Sequence, residues 1–374
     1  MRVAFIHFWL ITWRGGEKVL ESLLRLFPDA DIYTLFYDHQ HAERFLGHRI
    51  FPSSLNNRFF RRHFQKVYPL YPLGIRSLRL RHPYDLIISS ESGPAKGIAN
   101  PLGIPHLCYI HTPMRYCWGY TQDYLNVVPA VLRPIAKMSF DALRRWDLTT
   151  VDNVDRYVAN SRNVRDRVRR FYNRDAAVVH APISLELFRP ENLVKIPTKG
   201  RKYYLSFGAI TPYKNIELLI ETFNRNGKQL IVIGDGSERR KLERRAKANI
   251  HFLGNLPWAE IRKHILDAKA LLFPGEEDFG MVPLEVMAHG VPVIALARGG
   301  ALETVIEIPG NPAKSTGLFF AEPSFLSLQS AIDAFESYQD DFDPVQIQTH
   351  ARQFGEDVFL ERMQKEIRIL LKGY

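Results

Sequence analysis

The chain has 374 residues, 46% of them apolar, enough for two domains with a core each, and this excludes a disordered or fibrous protein. No apolar run approaches the ~18 residues needed to span a bilayer, and the opening "RVAFIHF" lacks the length and cleavage site of a signal peptide, so a cytoplasmic protein is expected. Fifty Lys and Arg against 40 Asp and Glu give a formal charge of +10, which favours anionic partners, while Cys108 and Cys117, without a CxxC spacing, argue against a disulfide framework or a zinc site.

Apolar runs of strand length alternate with segments of helical period, the pattern of parallel sheets wrapped by helices. The first half reads as strand "VAFIHF", a helix from about Glu17 to Leu26, strand "DIYTLF", a basic segment, strands "DLIIS" and "HLCYIH", a helical stretch over 129–150, strand "RYVAN" and a helix over 161–172. The basic segment holds no acid from Arg44 to Tyr84, while Arg44, Arg49, Arg58, Arg61, Arg62, Lys66, Arg76, Arg79 and Arg81 alternate with Phe59, Phe60, Phe64, Tyr68 and Tyr71. A solvated basic face is one reading. A contact of 44–84 with an anionic membrane surface, aromatic rings at headgroup level, is the second. Nucleic acid is not expected as a partner, because no recognised motif accompanies the charge.

A second set starts at "YYLSFGAI" and continues with a helix over 215–225, strand "QLIVIG", a helix over 237–247, strand "IHFLG", a helix over 258–267, strand "ALLF", a helix from about Met281, strand "VPVIAL" and a short helix after Gly300. Between the sets, "HAPISLELFRPENLVKIPTKGRK" has little periodicity. The expected organisation is an α/β chain with a doubly wound domain over 1–180, a linker over 181–200, a second doubly wound domain over 201–345, and a helical segment over 346–374 that could cross back to the first. Two Asp-x-Asp triplets, Asp29-Ala30-Asp31 and Asp341-Phe342-Asp343, sit beside turn signals and read as turn chemistry, so neither a metal site nor a cofactor is expected.

The stretch "PGEEDFGMVPLEVMAHGVPVIA" carries the chemistry. Pro274 ends a strand, and "GEEDFG" forms a loop at its carboxyl end, where open α/β sheets bind ligands. Helix formation begins near Met281, since Pro283 is tolerated only in a first turn and Gly290 supplies a left-handed stop. Amides of Phe279, Gly280, Met281 and Val282 then precede the first helical hydrogen bonds and can receive an anion. Glu277 in the loop and Glu285 one turn into the helix can hold neutral hydroxyls. Acids that merely complement a helix dipole remain the plain alternative.

"GEEDFGMVPLEVMAHGVPVIALARGGALETV" resembles the signature of retaining glycosyltransferase family 4, with Glu, seven residues and Glu, then Gly-x-Pro-Val-Ile-Ala and a Gly-Gly turn. The likeness extends over nearly the whole chain. It implies the GT-B fold, two Rossmann-like domains facing across a cleft, the amino-terminal one binding acceptor and the carboxy-terminal one binding a nucleotide sugar. It also implies that Glu277 binds donor-sugar hydroxyls, that Phe279, Gly280, Met281 and Val282 offer amides to sugar and diphosphate, and that Glu285 holds the ribose. "IGDGSE" matches the family's glycine loop around Gly234. "FGAITPYKN" places Lys214 in the family's diphosphate-binding lysine position, but Ala209 stands where the family has an arginine, with Lys199, Arg201, Lys202 or Arg298 as cations that could replace it. In "WRGGEKVLE", Gly15 and Gly16 match the glycine pair that lets donor phosphate or acceptor approach, and "YIHTPMRYCWGY" sets His111 in the place of the family's active-site histidine.

"HTPMRY", "SSESGPAKGI" and "RGGALETV" look most like the bacterial mannosyltransferase branch that builds O-antigen and exopolysaccharide from GDP-mannose. The implied activity is metal-independent retaining transfer, with His111, Glu277 and Lys214 as catalytic residues, from a nucleotide sugar to a lipid-linked or oligosaccharide acceptor at the inner face of the cell membrane. Two alternatives are a nucleotide-sugar epimerase of the same architecture and a catalytically weak nucleotide-sugar-binding protein. A dinucleotide oxidoreductase is unfavoured, because neither first strand leads into Gly-x-Gly-x-x-Gly.

Overall fold

Every strand pair among the described residues is parallel, in two separate sheets. The computed structural model describes residues 1–40, 43–188 and 200–373. The chain divides into one unit of Met1–Ala181 with Phe359–Tyr374 and another of Pro182–Val358. Of the linker expected over 181–200, residues 189–199 lie outside the described residues.

The first unit contains β1 (Val3–Leu10), β2 (Asp31–Tyr37), β3 (Ile50–Pro52), β4 (Leu86–Glu91), β5 (His106–Ile110), β6 (Arg156–Ala159) and β7 (Ala176–Val178), in the order β3-β2-β1-β4-β5-β6-β7. Its central strands are apolar on both faces because helices cover both; of β1 only Trp9 escapes full burial. Connections from β1 lead to one side of the sheet and those from β4 to the other. The crevice at the carboxyl ends of these two neighbours is therefore the switch point of the sheet. The second unit repeats the scheme with β8 (Tyr203–Phe207), β9 (Leu230–Ile233), β10 (Ile250–Gly254), β11 (Ala268–Phe273), β12 (Val293–Leu296) and β13 (Gly317–Phe320), in the order β10-β9-β8-β11-β12-β13, and its switch lies between β8 and β11. Two Rossmann-like domains of the GT-B class result.

Three strands escaped the sequence reading: β3, β7 and β13. Each is an outermost strand of three or four residues, and such strands carry too few apolar positions to stand out from loops. The helix Phe325–Tyr338 was also missed, and the helix expected over 237–247 is regular only over Arg239–Glu243. The basic segment forms short helices, Arg58–Arg62 and Tyr71–Ser77, with 3-10 turns between. One turn assignment needs correction. Asp31 opens β2 with only 1% of its surface exposed and accepts hydrogen bonds from Arg49 Nε at 2.7 Å and from the Tyr84 hydroxyl. Asp343 does serve a turn, capping the helix Pro344–Arg352 through the amide of Val345 at 2.9 Å.

The last helix, Glu356–Leu371, contributes its residues from Phe359 onward to the first unit, where Arg156 Nε donates to Glu366 Oε2 at 2.7 Å and the Phe359 ring stands 5.5 Å from Tyr109. In the same unit a fully buried Lys96 pairs with a fully buried Asp147, which also accepts from Trp118 Nε1 at 2.7 Å and the Tyr172 hydroxyl at 2.8 Å. This network ties the helix Arg133–Thr149 to the turn after β4. Removing one partner of a buried ion pair strands the other charge. Lys96→Met is expected to destabilise the protein by about 3 kcal/mol or more, read as a lower midpoint in urea denaturation. A midpoint shift worth under about 1 kcal/mol would show that the pair is not what anchors the helix.

Candidate active site

At the switch of the second sheet, the loop leaving β8 meets the loop leaving β11. Pro212–Lys214 form a single 3-10 turn, and Asn215 then takes a left-handed conformation at φ 53 to open the helix Ile216–Asn226. Across from it, Gly275 presses against the backbone; a Cβ there would lie 2.8 Å from both Lys214 Cα and the Tyr213 carbonyl oxygen. That approach brings the Lys214 ammonium onto Glu277 Oε1 as an ion pair, with the two side chains only 17% and 16% exposed. The ammonium also lies 5.5 Å from the Tyr213 ring and 5.8 Å from the Phe273 ring. A pocket over this pair is lined by Gly208, Ala209, Lys214, Gly275 and Glu277.

The helix after the acidic loop runs from Met281 to Met287, with Gly280 before it at φ 85 and Gly290 beyond it at φ 68. Phe279 and Asp278 are buried, Met281 and Val282 half-buried, and Glu285 sits one turn inside at 7% exposure. The Gly299-Gly300 turn clamps the loop from behind. Gly300 N donates to the Glu277 carbonyl at 2.8 Å, and a Cβ on Gly300 would fall within 2.3–2.5 Å of the Phe279 backbone. Gly234 ends β9 at φ 129, where a Cβ would lie 1.9 Å from the Gly208 carbonyl oxygen. Its first demand is thus the packing of the β9 loop on the β8 loop.

Ala209 lies exposed on the rim of the pocket. Of the cations considered as its replacement, Lys199 is outside the described residues. Arg201 and Lys202 precede β8, at the strand's amino end and away from the pocket; Arg201 donates to the Gly290 carbonyl at 3.2 Å, and Lys202 pairs with Asp267 at 3.6 Å. Arg298 alone follows the carboxyl end of a strand, β12, just before the Gly299-Gly300 turn, and it pairs with Glu322 at 2.9 Å.

The first unit assembles its own cluster at the switch between β1 and β4. Gly15 and Gly16 open the helix Gly15–Leu24, and buried Glu17 orders the loop before it, accepting from the Thr12 hydroxyl at 2.8 Å and from Arg14 N at 3.0 Å. His111 follows β5 directly, its Nε2 at 2.9 Å from Ser90 Oγ. A Cβ on Gly16 would stand 3.8 Å from that nitrogen and 3.7 Å from His7 Cε1, so Gly16 and His111 are neighbours, with His7 the third member. Sequence reasoning overlooked His7. It lies within β1, has no exposed surface, and neither ring nitrogen has a hydrogen-bond partner among the described residues. Burial, with the charge of His111 adding to it, pushes its pKa down to about 3. A histidine inside the apolar run "VAFIHFWL" was the available signal.

Residues 188–353 match the family described as Glycosyl transferases group 1, and residues 13–187 match Glycosyltransferase Family 4. The chain is 25% identical over 276 residues to the alpha-1,3/1,6-mannosyltransferase ALG2 of Kluyveromyces lactis, covering 59% of this chain and 54% of that one. It is 35% identical over 107 residues to a GDP-mannose-dependent alpha-mannosyltransferase of Mycolicibacterium smegmatis, 28% of each chain. The match thus spans about half the length of the ALG2 relative. Among solved structures, Anabaena Alr3699/HepE in complex with UDP superposes with a TM-score of 0.71 at 16% identity, over 98% of this chain and 100% of that one.

Two outcomes follow from this geometry. Gly300→Ala must push the Phe279 backbone away, and a loss of about 2 kcal/mol or more is expected in thermal or urea denaturation; a neutral substitution would mean that the clamp yields freely. Burial also holds His106 down, to about 4. The unfolded chain protonates both histidines as pH falls through 6.5, whereas the folded chain does so only near 3 and 4. Their contribution to stability is therefore complete above 6.5 and lost on acidification, at up to about 1.4 kcal/mol per pH unit for each histidine. Urea midpoints measured from pH 7 to pH 5 should fall. A flat profile would contradict neutral burial.

Proposed function

Because the chain belongs to the group 1, family 4 glycosyltransferases, we propose that it transfers mannose from GDP-mannose, with retention, to a lipid-linked or oligosaccharide acceptor in surface polysaccharide synthesis. The observation that carries this reading is the shielded Lys214–Glu277 pair at the β8/β11 switch, directly before the helix that starts at Met281. Mannose as the sugar is supported by the names of the ALG2 and mycobacterial relatives.

On this reading Lys214 and the amides of Phe279, Gly280, Met281 and Val282 stabilise the negative charge that grows on the departing diphosphate, in a site where water screens it poorly. Glu277 accepts from donor-sugar hydroxyls, Glu285 from the ribose, and Gly234 lets the β9 loop lie close to the nucleotide. His111, with Gly15 and Gly16, orients the sugar and the approaching acceptor. Retention places the acceptor oxygen on the face the diphosphate leaves, so no protein nucleophile is required and a phosphate oxygen can take the acceptor proton. The charge at the diphosphate is supplied by Lys214 and the backbone, which makes transfer independent of a divalent ion. A lipid-linked acceptor brings the reaction to the inner face of the membrane, where the basic segment 44–84 can meet anionic headgroups.

The test is a thermal-shift screen of the full chain against nucleotide sugars, followed by transfer assays with the donor that raises the melting point. GDP-mannose is expected to give the largest shift, and Lys214→Ala and Glu277→Gln are each expected to slow transfer by roughly a hundredfold. Unchanged rates in both variants would remove the pair from the mechanism. Conversion of the donor sugar without its release would show an epimerase instead.

A further inference from the structure

The helix Arg133–Thr149 is apolar on two sides. Its inner side buries Ala136, Phe140 and Leu143. Opposite, and continuing a 3-10 turn over Ala130–Leu132, Val131, Ile135 and Met138 stand at helical spacing with 87%, 63% and 72% of their surfaces exposed. Val127 and Leu132 extend the patch. Exposed apolar residues scattered singly are ordinary, but a stripe on one helix face calls for a partner. From Tyr124 to Phe140 the sequence holds no acid; Arg133 and Lys137 are its only charges.

The helix that carries this stripe packs its inner side on the acid-free segment 44–84. Tyr68 of that segment stacks on Phe140 with ring centroids 5.0 Å apart and reaches Tyr116 at 5.6 Å. Within the segment Arg44, Arg49 and Arg61 are paired with Glu21, Asp31 and Asp38. Arg58, Arg62, Lys66, Arg76 and Arg79 are exposed, and none forms an ion pair among the described residues. Phe59 and Leu73 are exposed beside them.

We infer that the outer face of the helix Arg133–Thr149, together with the 44–84 segment, seats this domain on an anionic lipid bilayer. Val131, Ile135 and Met138 enter the acyl boundary while the unpaired arginines and lysines reach headgroup phosphates. The two halves of the surface require both features of that partner: hydrocarbon for the stripe and fixed negative charge for the cations. A nucleic acid supplies no hydrocarbon. A second copy of the chain, meeting this face with its own, would set positive charge against positive charge. Among the described residues no helix is long and apolar enough to cross a membrane, so the stripe lies on the bilayer rather than spanning it. This deepens the proposed lipid-linked acceptor by naming the surface that would bring the chain to it, and it does not depend on the identity of the donor.

The test is sedimentation of the full chain with vesicles of phosphatidylcholine alone and of phosphatidylcholine containing roughly 30% phosphatidylglycerol. Binding is expected on the anionic vesicles and to be much weaker on neutral ones. Ile135→Glu with Met138→Glu should lower the partition coefficient roughly tenfold or more. Arg58→Gln, Arg62→Gln and Lys66→Gln should each lower it by roughly fivefold, the effect shrinking as salt rises. All these positions are exposed or half-buried at most, so melting points should stay put, which separates lost contact from lost fold. Absence of binding to anionic vesicles, or binding that the glutamate variant leaves unchanged, overturns the inference. So does a dimer in sedimentation velocity that the glutamate variant converts to monomer, since a second copy would then cover the stripe. Nucleotide-sugar thermal shifts in the same variants read the donor site separately, so a chain that binds vesicles but no donor would refute the proposed function and leave this surface standing.

Discussion

Lys214 and Glu277 meet because β8 and β11 are neighbours whose connections leave toward opposite faces of one sheet. Where successive connections diverge, no loop covers the strand ends, and a crevice opens that belongs to both loops. The ion pair spans it. Taking both charges most of the way out of water costs several kcal/mol per ion before the attraction repays it, so such a pair contributes little net stability. On the proposed function, that balance suits a site that must change partners: an arriving diphosphate would exchange one anion for another on the ammonium, and the released carboxylate would keep its position with hydroxyls as its new ligands. A stronger, fully satisfied pair would resist the exchange.

The glycines around this crevice are of two kinds. Gly234, Gly275 and Gly300 have backbone atoms where a Cβ would go, at 1.9, 2.8 and 2.3 Å respectively. They let three loops press together until side chains distant in sequence can touch. Gly16 is different, since the atoms near its absent Cβ are at ordinary van der Waals distance. Protein packing does not demand a glycine there, and what the missing side chain leaves is clearance on the helix side facing His7 and His111. A motif glycine therefore contributes to a site either by permitting the architecture or by permitting an approach, and the distance to its nearest backbone neighbour tells the two apart.

This distinction explains much of what could be read in advance. Central strands such as β1, β5 and β11 announce themselves because both faces are covered and the apolar run is unbroken, while the outermost β3, β7 and β13 do not. The helix start at Met281 was legible from Pro283 and Gly290, which have few other places to go. The partnership of Lys214 with Glu277 was not, from pattern alone, because 63 residues separate them and nothing local to either identifies the other; only the family likeness put both in one site. His7 was invisible for the converse reason, since a strand read by its apolar period absorbs a single histidine without comment. The stripe at Val131, Ile135 and Met138 could not be told from a core-facing one, because helical spacing of apolar residues looks alike whether the face turns inward or outward.

Charge count, similarly, says less than where along a parallel strand each charge falls. Arg201 and Lys202 enter β8 at its amino end, so the strand itself holds them about its own length from the crevice. Lys214 leaves by the carboxyl end and arrives. Arg298 also leaves by a carboxyl end, that of β12, but it is tied to Glu322. From Gly208 to Asn215 the β8 loop carries no second cation, and Ala209 occupies the rim where one would reach the pocket. The ammonium of Lys214 thus stands as the only positive side chain this loop brings to the switch, which is why its environment, shielded from water and held on a carboxylate, carries so much of the site.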